Sequence, residues 1–327
     1  MNDHNLIHQS MNVPVIDLSL LLSQDSQEKS LVIKEIHEAC QKSGIFHVIN
    51  HGISQEVIEE ALEVNRNFFD LPDIMKKDIL EFGSGDPFSP VKFATFKQRA
   101  HGSDLLQRDV LRINANPIDE FLDLWPKNPA DYREKMGRYT QEVRKLGNQL
   151  FEAIMESLNL GGATHLQENF GKGMQLVATN CYNSPHQESP SIKKGTPPHT
   201  DFGLITILLQ TSPGLEILDS FDGKWKSAPK LEEGSFQVFV GDLLEVLSNG
   251  KYKSVMHQVI VPSSTTETRM SIASFHSFDM DDIVEPAINL VEEEGVKRYK
   301  DCSAKELLKL VFSRGFARPI EALKIEM

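Results

Sequence analysis

The chain has 327 residues, with 34 lysines and arginines against 47 aspartates and glutamates, and a formal net charge of −13. That length fits two domains, or one large β-barrel enzyme with helical additions, and is enough to bury a substantial core. The acidic balance argues against a nucleic-acid partner, which would need basic stripes, and leaves any attraction for an anionic ligand to local groups.

Residues 1–10 are polar and carry no apolar run, so no secretory signal is expected. Pro14 leads into Val15-Ile16-Asp17-Leu18, a predicted short strand, and Leu31, Val32, Ile36, Ala39 and Cys40 then recur at helical spacing. Ile45 to Ile49 predicts a second strand, closed by the turn Asn50-His51-Gly52. Ser54 is the expected N-cap of a helix that buries Ile58, Ala61, Leu62 and Phe68. Gly83 to Pro117 is rich in Pro, Gly and Phe and reads as a surface segment or lid. A long helix is predicted from about Asp131 to Leu158, with Met136, Tyr139, Val143, Leu146, Leu150, Ile154 and Leu158 on one stripe and Gly161-Gly162 as its stop.

After Gly173 the texture changes to short β-rich runs: Met174 to Tyr182, Leu204 to Leu209, Leu215 to Leu218, Phe236 to Val240, His257 to Val261 and Met270 to Phe275. Turn residues separate them, as in an antiparallel sandwich or jelly roll. A last helix is predicted from Ser303, with Glu306 completing a capping box. The expected organisation is an N-terminal helical and strand region at 13–120, a β core at 170–280 and a C-terminal helical tail at 281–327. Cys40, Cys181 and Cys302 lie far apart, which suits a reducing compartment rather than a disulfide framework or zinc knuckle. No apolar stretch approaches the ~20 residues that span a bilayer. A cytoplasmic monomer acting on a small-molecule substrate, without nucleic-acid or membrane partners, is the expectation.

Chemistry concentrates late in the chain. His199 and Asp201 are two residues apart, a spacing that puts them on one face of a strand, and His257 on a later strand can join them. Two imidazoles and one carboxylate with positions left open are the donor set of non-haem iron(II) oxygen chemistry. Alternation then aligns Arg269, Ser271, Ala273 and Phe275 on one face, and Ala178, Asn180 and Tyr182 on another strand. An inward guanidinium needs an anion: a bound carboxylate gripped by its planar fork, or a structural Asp beside an ordinary buried tyrosine.

An ordered set of short motifs carries a family resemblance. It runs through Pro14-Val15-Ile16-Asp17, Ser43-Gly44-Ile45-Phe46-His47-Val48-Ile49-Asn50-His51-Gly52-Ile53, Phe68-Phe69-Asp70-Leu71-Pro72 and Pro198-His199-Thr200-Asp201-Phe202-Gly203-Leu204-Ile205-Thr206. Pro213-Gly214-Leu215 and Val240-Gly241-Asp242 follow, ahead of His257, Arg269 and Ser271. Over nearly its whole length the chain resembles the plant-type 2-oxoglutarate- and iron(II)-dependent dioxygenases, the group related to isopenicillin N synthase, flavonol synthase and hyoscyamine 6-hydroxylase.

The resemblance implies an α+β fold with a mainly β core, a double-stranded β-helix (jelly roll) flanked by N-terminal and C-terminal helices. It implies Fe(2+) on His199, Asp201 and His257, and 2-oxoglutarate chelating that iron. The far carboxylate of 2-oxoglutarate would meet Arg269 and Ser271 with help from Tyr182, and Asn180 would sit near the iron end. O2 is the other co-substrate, succinate and CO2 are released, and ascorbate is the expected reductant in vitro. The substrate would be a small, largely apolar plant specialised metabolite or hormone, with Phe275, Ala178 and Phe93 as pocket candidates. His47, His51, His186 and His276 are read as structural. Tyr182-Asn183-Ser184-Pro185 departs from the Asn-x-Tyr followed by two prolines of many relatives, which implies a different loop there. Ala178 and Ser277, where flavonoid oxidases often carry a basic and an acidic residue, argue against a flavonoid. An iron oxidase that dispenses with 2-oxoglutarate, and a non-enzymatic binder on the same scaffold, are the alternatives; a zinc hydrolase lacks an evident general base.

Overall fold

The computed structural model describes residues 9–23, 25–82, 86–99, 105–183, 193–229, 232, 234–261, 268–314 and 318–326. The N-terminal part contains strand β1 (Val15–Asp17), helix α1 (Ser26–Lys42), strand β2 (Ile45–Ile49) and helices α2 (Gln55–Asp70) and α3 (Asp73–Phe82). Strands β3 (Val91–Arg99) and β4 (Leu105–Asn116) follow, then the short α4 (Ile118–Phe121), the long α5 (Tyr132–Ser157) and α6 (Thr164–Lys172). The β-rich part holds β5 (Gln175–Asn183), β6 (Lys193–His199), β7 (Ile205–Gln210), β8 (Leu215–Leu218), β9 (Trp225–Ser227) and β10 (Phe236–Val240). Helix α7 (Asp242–Leu247) precedes β11 (His257–Val261) and β12 (Arg269–His276), and the chain closes with β13 (Ile283–Val284), α8 (Ile288–Glu294), β14 (Cys302–Ser303) and α9 (Ala304–Arg314).

The helix ends follow local chemistry. Ser54 caps α2, its side chain accepting from the Val57 N–H. Ser303 and Glu306 form the reciprocal capping box at α9, with Ser303 N–H donating to Glu306 Oε2 at 2.9 Å and Glu306 N–H to Ser303 Oγ at 3.2 Å. Helix α5 buries its predicted stripe, but the chain leaves the helix at Asn159, which takes φ +60°, before it reaches Gly161-Gly162. Asn tolerates the left-handed conformation because its short side chain bonds locally, so the double glycine is not the stop. On α1 the buried stripe is Val32, Ile33, Ile36, Ala39 and Cys40, while Leu31 is 53% exposed.

Among the described residues the strands form a large sheet in the order β1-β2-β10-β7-β12-β5-β4-β3 and a smaller one in the order β6-β11-β8-β9. Alternation gives the large sheet two apolar faces. Ile205, Ile207, Val238, Met270, Ile272 and Val177 pack outward with the helices in the main core. Leu208, Phe239 and Ala273 turn inward with Leu215 and Ile217 of the smaller sheet. This is a jelly roll with helices on its outside, as predicted. The segment from Gly83 to Pro117 is corrected: instead of a surface lid it supplies β3 and β4, which extend the large sheet beyond β5. Among the described residues no helix is long and apolar enough to cross a membrane.

Candidate active site

The two sheets enclose a cavity of about 290 Å³. At one end, β6 and β11 bring His199 and His257 opposite each other, with ring centroids 4.2 Å apart. The Nε2 atoms of both rings lie 3.7 Å from Oδ1 of Asp201. Each ring is oriented by its backbone: Nδ1 of His199 donates to the Pro197 carbonyl at 2.8 Å, and Nδ1 of His257 to the Val255 carbonyl at 3.1 Å. Those bonds place the proton on Nδ1 and leave both Nε2 lone pairs facing Asp201. Burial, with His257 beside it, pushes the His199 pKa down and keeps the ring neutral. A metal could be held between the three groups, whose ligand atoms all lie within 4.8 Å of one another.

The expected strand geometry of His-x-Asp is corrected in one respect. His199 ends β6, and Asp201 belongs to the loop before β7. The loop is fixed by its neighbours: Asp242 N–H donates to the Asp201 carbonyl at 2.7 Å, Leu243 N–H to Gly203 at 3.1 Å, and Leu204 N–H to His276 at 2.9 Å. Thr200 turns away and donates to Asp242 Oδ2 at 3.0 Å. Desolvation raises the Asp242 carboxyl to about 7.

The other end of the cavity is polar on its sheet wall. Arg269 stands opposite Tyr182, and Ser271 opposite Asn180, across β12 and β5. Arg269 is 2% exposed; its Nη2 donates to Gln210 Oε1 at 2.8 Å and its Nε to the Pro213 carbonyl at 3.2 Å, while Nη1 has no partner. A buried guanidinium nitrogen left without an acceptor is costly, and a carboxylate is its natural complement. Tyr182 shares its hydroxyl with Thr196 Oγ1 at 2.7 Å. Asn180 makes a 3.4 Å bond to the Ala178 carbonyl.

Ala178, Asn180, Tyr182, Arg269, Ser271 and Phe275 all line the cavity, and Phe275 stacks on Phe202 with centroids 5.6 Å apart. Phe93 does not. Alternation on β3 sends its ring outward against Phe68 and Phe69, and Phe96 faces the cavity instead. His276 lies on the outer face of β12, 3.3 Å from Arg144 Nη1. His51 is a turn residue, its Nε2 donating to the Gly234 carbonyl at 2.8 Å while Asn50 and Gly52 take positive φ. His186, and the departure at Ser184-Pro185, lie outside the described residues.

Four residues on the cavity wall had no advance signal. Arg108 and Arg112 reach it from β4, and Leu308 and Val311 from α9. Arg108 Nη1 donates to Thr196 Oγ1 at 2.7 Å. Alternation over Leu105 to Asn116 was the available clue, but it needed β4 to be read as a strand.

Comparison with known proteins gives a consistent result. The family model of the 2OG-Fe(II) oxygenase superfamily matches residues 174–277, and that of the non-haem dioxygenase in morphine synthesis N-terminal region matches residues 13–131. The chain is 39% identical over 317 residues to the chloroplastic 2-oxoglutarate-dependent dioxygenase 21 of Oryza sativa subsp. japonica, covering 96% of this chain and 91% of that one. It is also 39% identical over 296 residues to flavanone 3-dioxygenase 3 of the same plant, covering 90% and 87%. The crystal structure of JOX2 in complex with 2OG, Fe and JA superposes with a TM-score of 0.81 at 27% identity, covering 98% of this chain and 92% of that one.

Proposed function

Because the chain belongs to the 2OG-Fe(II) oxygenase superfamily, we propose that His199, Asp201 and His257 hold its iron and that Arg269 and Ser271 hold the far carboxylate of 2-oxoglutarate. The enzyme is a 2-oxoglutarate- and Fe(II)-dependent dioxygenase that oxidises a small, largely apolar plant metabolite or hormone. Iron, when bound, supplies the activation of O2 that turns 2-oxoglutarate into succinate and CO2 and oxidises a C–H bond of the substrate.

The remaining work falls to the chain's own groups. Pro197 and Val255 carbonyls fix the two imidazoles as neutral ligands. Asp201 contributes the negative charge. Arg269 offers Nη1, and Ser271 a hydroxyl, to the distal carboxylate, with Tyr182 holding the guanidinium in place and Asn180 beside the iron end. Phe275, Ala178 and, in place of Phe93, Phe96 form the apolar wall against which a substrate would rest and which excludes water.

The observation that carries this reading is that Nε2, Nε2 and Oδ1 converge at one end of a cavity whose wall holds an unpartnered buried Arg269 Nη1. That nitrogen also favours a dicarboxylate co-substrate over an iron oxidase without one. The seven polar groups named above need no residue from a second copy, and a monomer is our proposed working unit. Three buried free cysteines support a cytoplasmic setting. The working core is residues 170–280, with 13–120 as its N-terminal region and 281–327 as a tail from which Leu308 and Val311 line the cavity. The test is anaerobic addition of Fe(II) and then 2-oxoglutarate to purified protein, followed by succinate assay with ascorbate across a metabolite panel. A weak visible charge-transfer band and substrate-stimulated succinate release are expected; absence of both would refute the reading.

A further inference from the structure

Two arginines on β4 face the cavity, and the ladder separates their tasks. Arg108 is opposite Tyr182, which is opposite Arg269, so it belongs to the row at the co-substrate end. Arg112 is four residues further along, about 13 Å at ~3.3 Å per residue. It is opposite Ala178, which is opposite Ala273, which is opposite Leu208. One row beyond lie Leu176 and Phe275. Arg112 therefore stands over an apolar floor opened by two alanines, too far along the strand to share the anion of Arg269.

Charge points the same way. Among the described cavity-lining residues the lysine, arginine and carboxylate side chains are Arg108, Arg112, Arg269 and Asp201. Iron and 2-oxoglutarate cancel one another, and Asp201 offsets one guanidinium, so two cations remain. Burial lowers the Arg112 pKa, and Asp86 offsets only part of that effect. The carboxylate that acts on it is Asp86, which is exposed and whose Oδ1 already accepts from the Phe88 N–H. Arg112 Nη2 is held by the Pro87 carbonyl, and its buried Nε has no partner.

We propose that the substrate of this enzyme is an apolar monocarboxylic acid, whose carboxylate binds Arg112 while its body lies over Ala178, Ala273, Leu176 and Phe275. This rests on the function proposed above and adds the class of substrate. It makes Arg112 a specificity-determining residue, with Arg108 left to the co-substrate end.

The probes are trans-cinnamate, 4-phenylbutyrate and decanoate, each paired with its primary amide, and binding is measured calorimetrically to anaerobic protein carrying Fe(II) and 2-oxoglutarate. At least one acid should bind roughly tenfold or more tighter than its amide, the range expected of a charge-assisted hydrogen bond. That preference should collapse in Arg112→Gln and return in part in Arg112→Lys. Ala178→Leu, which fills the floor without touching charge, should weaken acid and amide alike. The Fe(II)/2-oxoglutarate absorption band, recorded on each variant, shows that the site is assembled. If that band is absent from the wild type, the proposed function itself fails. If it is present and no acid outbinds its amide, or the preference survives Arg112→Gln, the substrate-class proposal is wrong.

Discussion

The guanidinium of Arg269 lies 5.0 Å from the centre of the Tyr182 ring, directly across the β5–β12 ladder. The ring face, Gln210 and the Pro213 carbonyl together fix the plane of the fork and leave Nη1 as its free tooth. The smaller sheet approaches closely here: a Cβ on Gly214, whose φ is +137°, would sit 2.6 Å from the Ile260 carbonyl and 3.1 Å from Arg269 Nε.

Arg269→Lys keeps the charge but loses both the fork and the stacking on Tyr182. One charge-assisted hydrogen bond lost is about 2 kcal/mol, so KM for 2-oxoglutarate should rise roughly thirtyfold. Iron affinity, measured calorimetrically with Mn(II) as a redox-inert stand-in, should stay the same. A variant with unchanged KM would remove Arg269 from co-substrate binding.

Asp201 depends on a glycine that never touches the cavity. A Cβ on Gly241 would lie 2.1 Å from the Gly203 carbonyl and 3.3 Å from that of Asp201. Backbone on both sides cannot yield cheaply, so Gly241→Ala should push the Asp201 loop off the N-terminus of α7. The expected result is a metal affinity about 10- to 100-fold weaker, the usual range for losing a group that orients a ligand. Calorimetric titration with Mn(II) reads this directly, and a folded variant with wild-type affinity would contradict it.

The same helix is anchored from the far end of the chain. Glu245 is fully buried and accepts from Tyr299 Oη at 2.6 Å, Ser254 N–H at 2.8 Å and Arg318 Nη2 at 2.8 Å. Burial alone would lower the Arg318 pKa, and Glu245 raises it above the ordinary arginine value. Removing one partner of a buried pair costs ~3–5 kcal/mol, but Tyr299 and Ser254 remain and Arg318 is partly exposed. Arg318→Ala should therefore lower stability by about 2 kcal/mol in urea denaturation. A change within ~0.5 kcal/mol, the range of ordinary surface substitutions, would show the pair to be decorative.

Much of this was legible in the chain. Strands β2, β8, β10 and β11 begin and end where their apolar runs do, because buried strands of four or five residues leave little else for such runs to be. The inward set Arg269, Ser271, Ala273 and Phe275 follows from alternation alone. Arg112 was not legible for a different reason. Its segment is rich in Pro, Gly and Phe, and an arginine every fourth residue on a strand reads as solvent-facing until the partner sheet is known. Asp201 shows the converse: strand periodicity predicts the right neighbours for a residue that is not on a strand, because the loop is positioned by α7 rather than by the ladder.

Acid stability follows from a buried histidine outside the site. His47 on β2 is 1% exposed, its Nε2 3.3 Å from Nε2 of Gln237, and burial lowers its pKa from 6.5 to about 4. Gln237 donates to the unprotonated ring, and a proton on that nitrogen would break the bond in an apolar layer. Between the two pKa values the unfolded chain binds the proton and the folded one does not, so stability is full above pH 6.5 and is lost as pH falls toward 4. One pKa unit corresponds to 1.36 kcal/mol, so His47 alone should account for about 2 kcal/mol lost between pH 7.5 and pH 5. His276, also buried and also depressed, steepens the total. His47→Gln keeps a neutral polar group in place and cannot take the proton. Urea midpoints of the variant should fall less on acidification by that amount, and parallel pH profiles for the two proteins would mean that His47 does not titrate in this range.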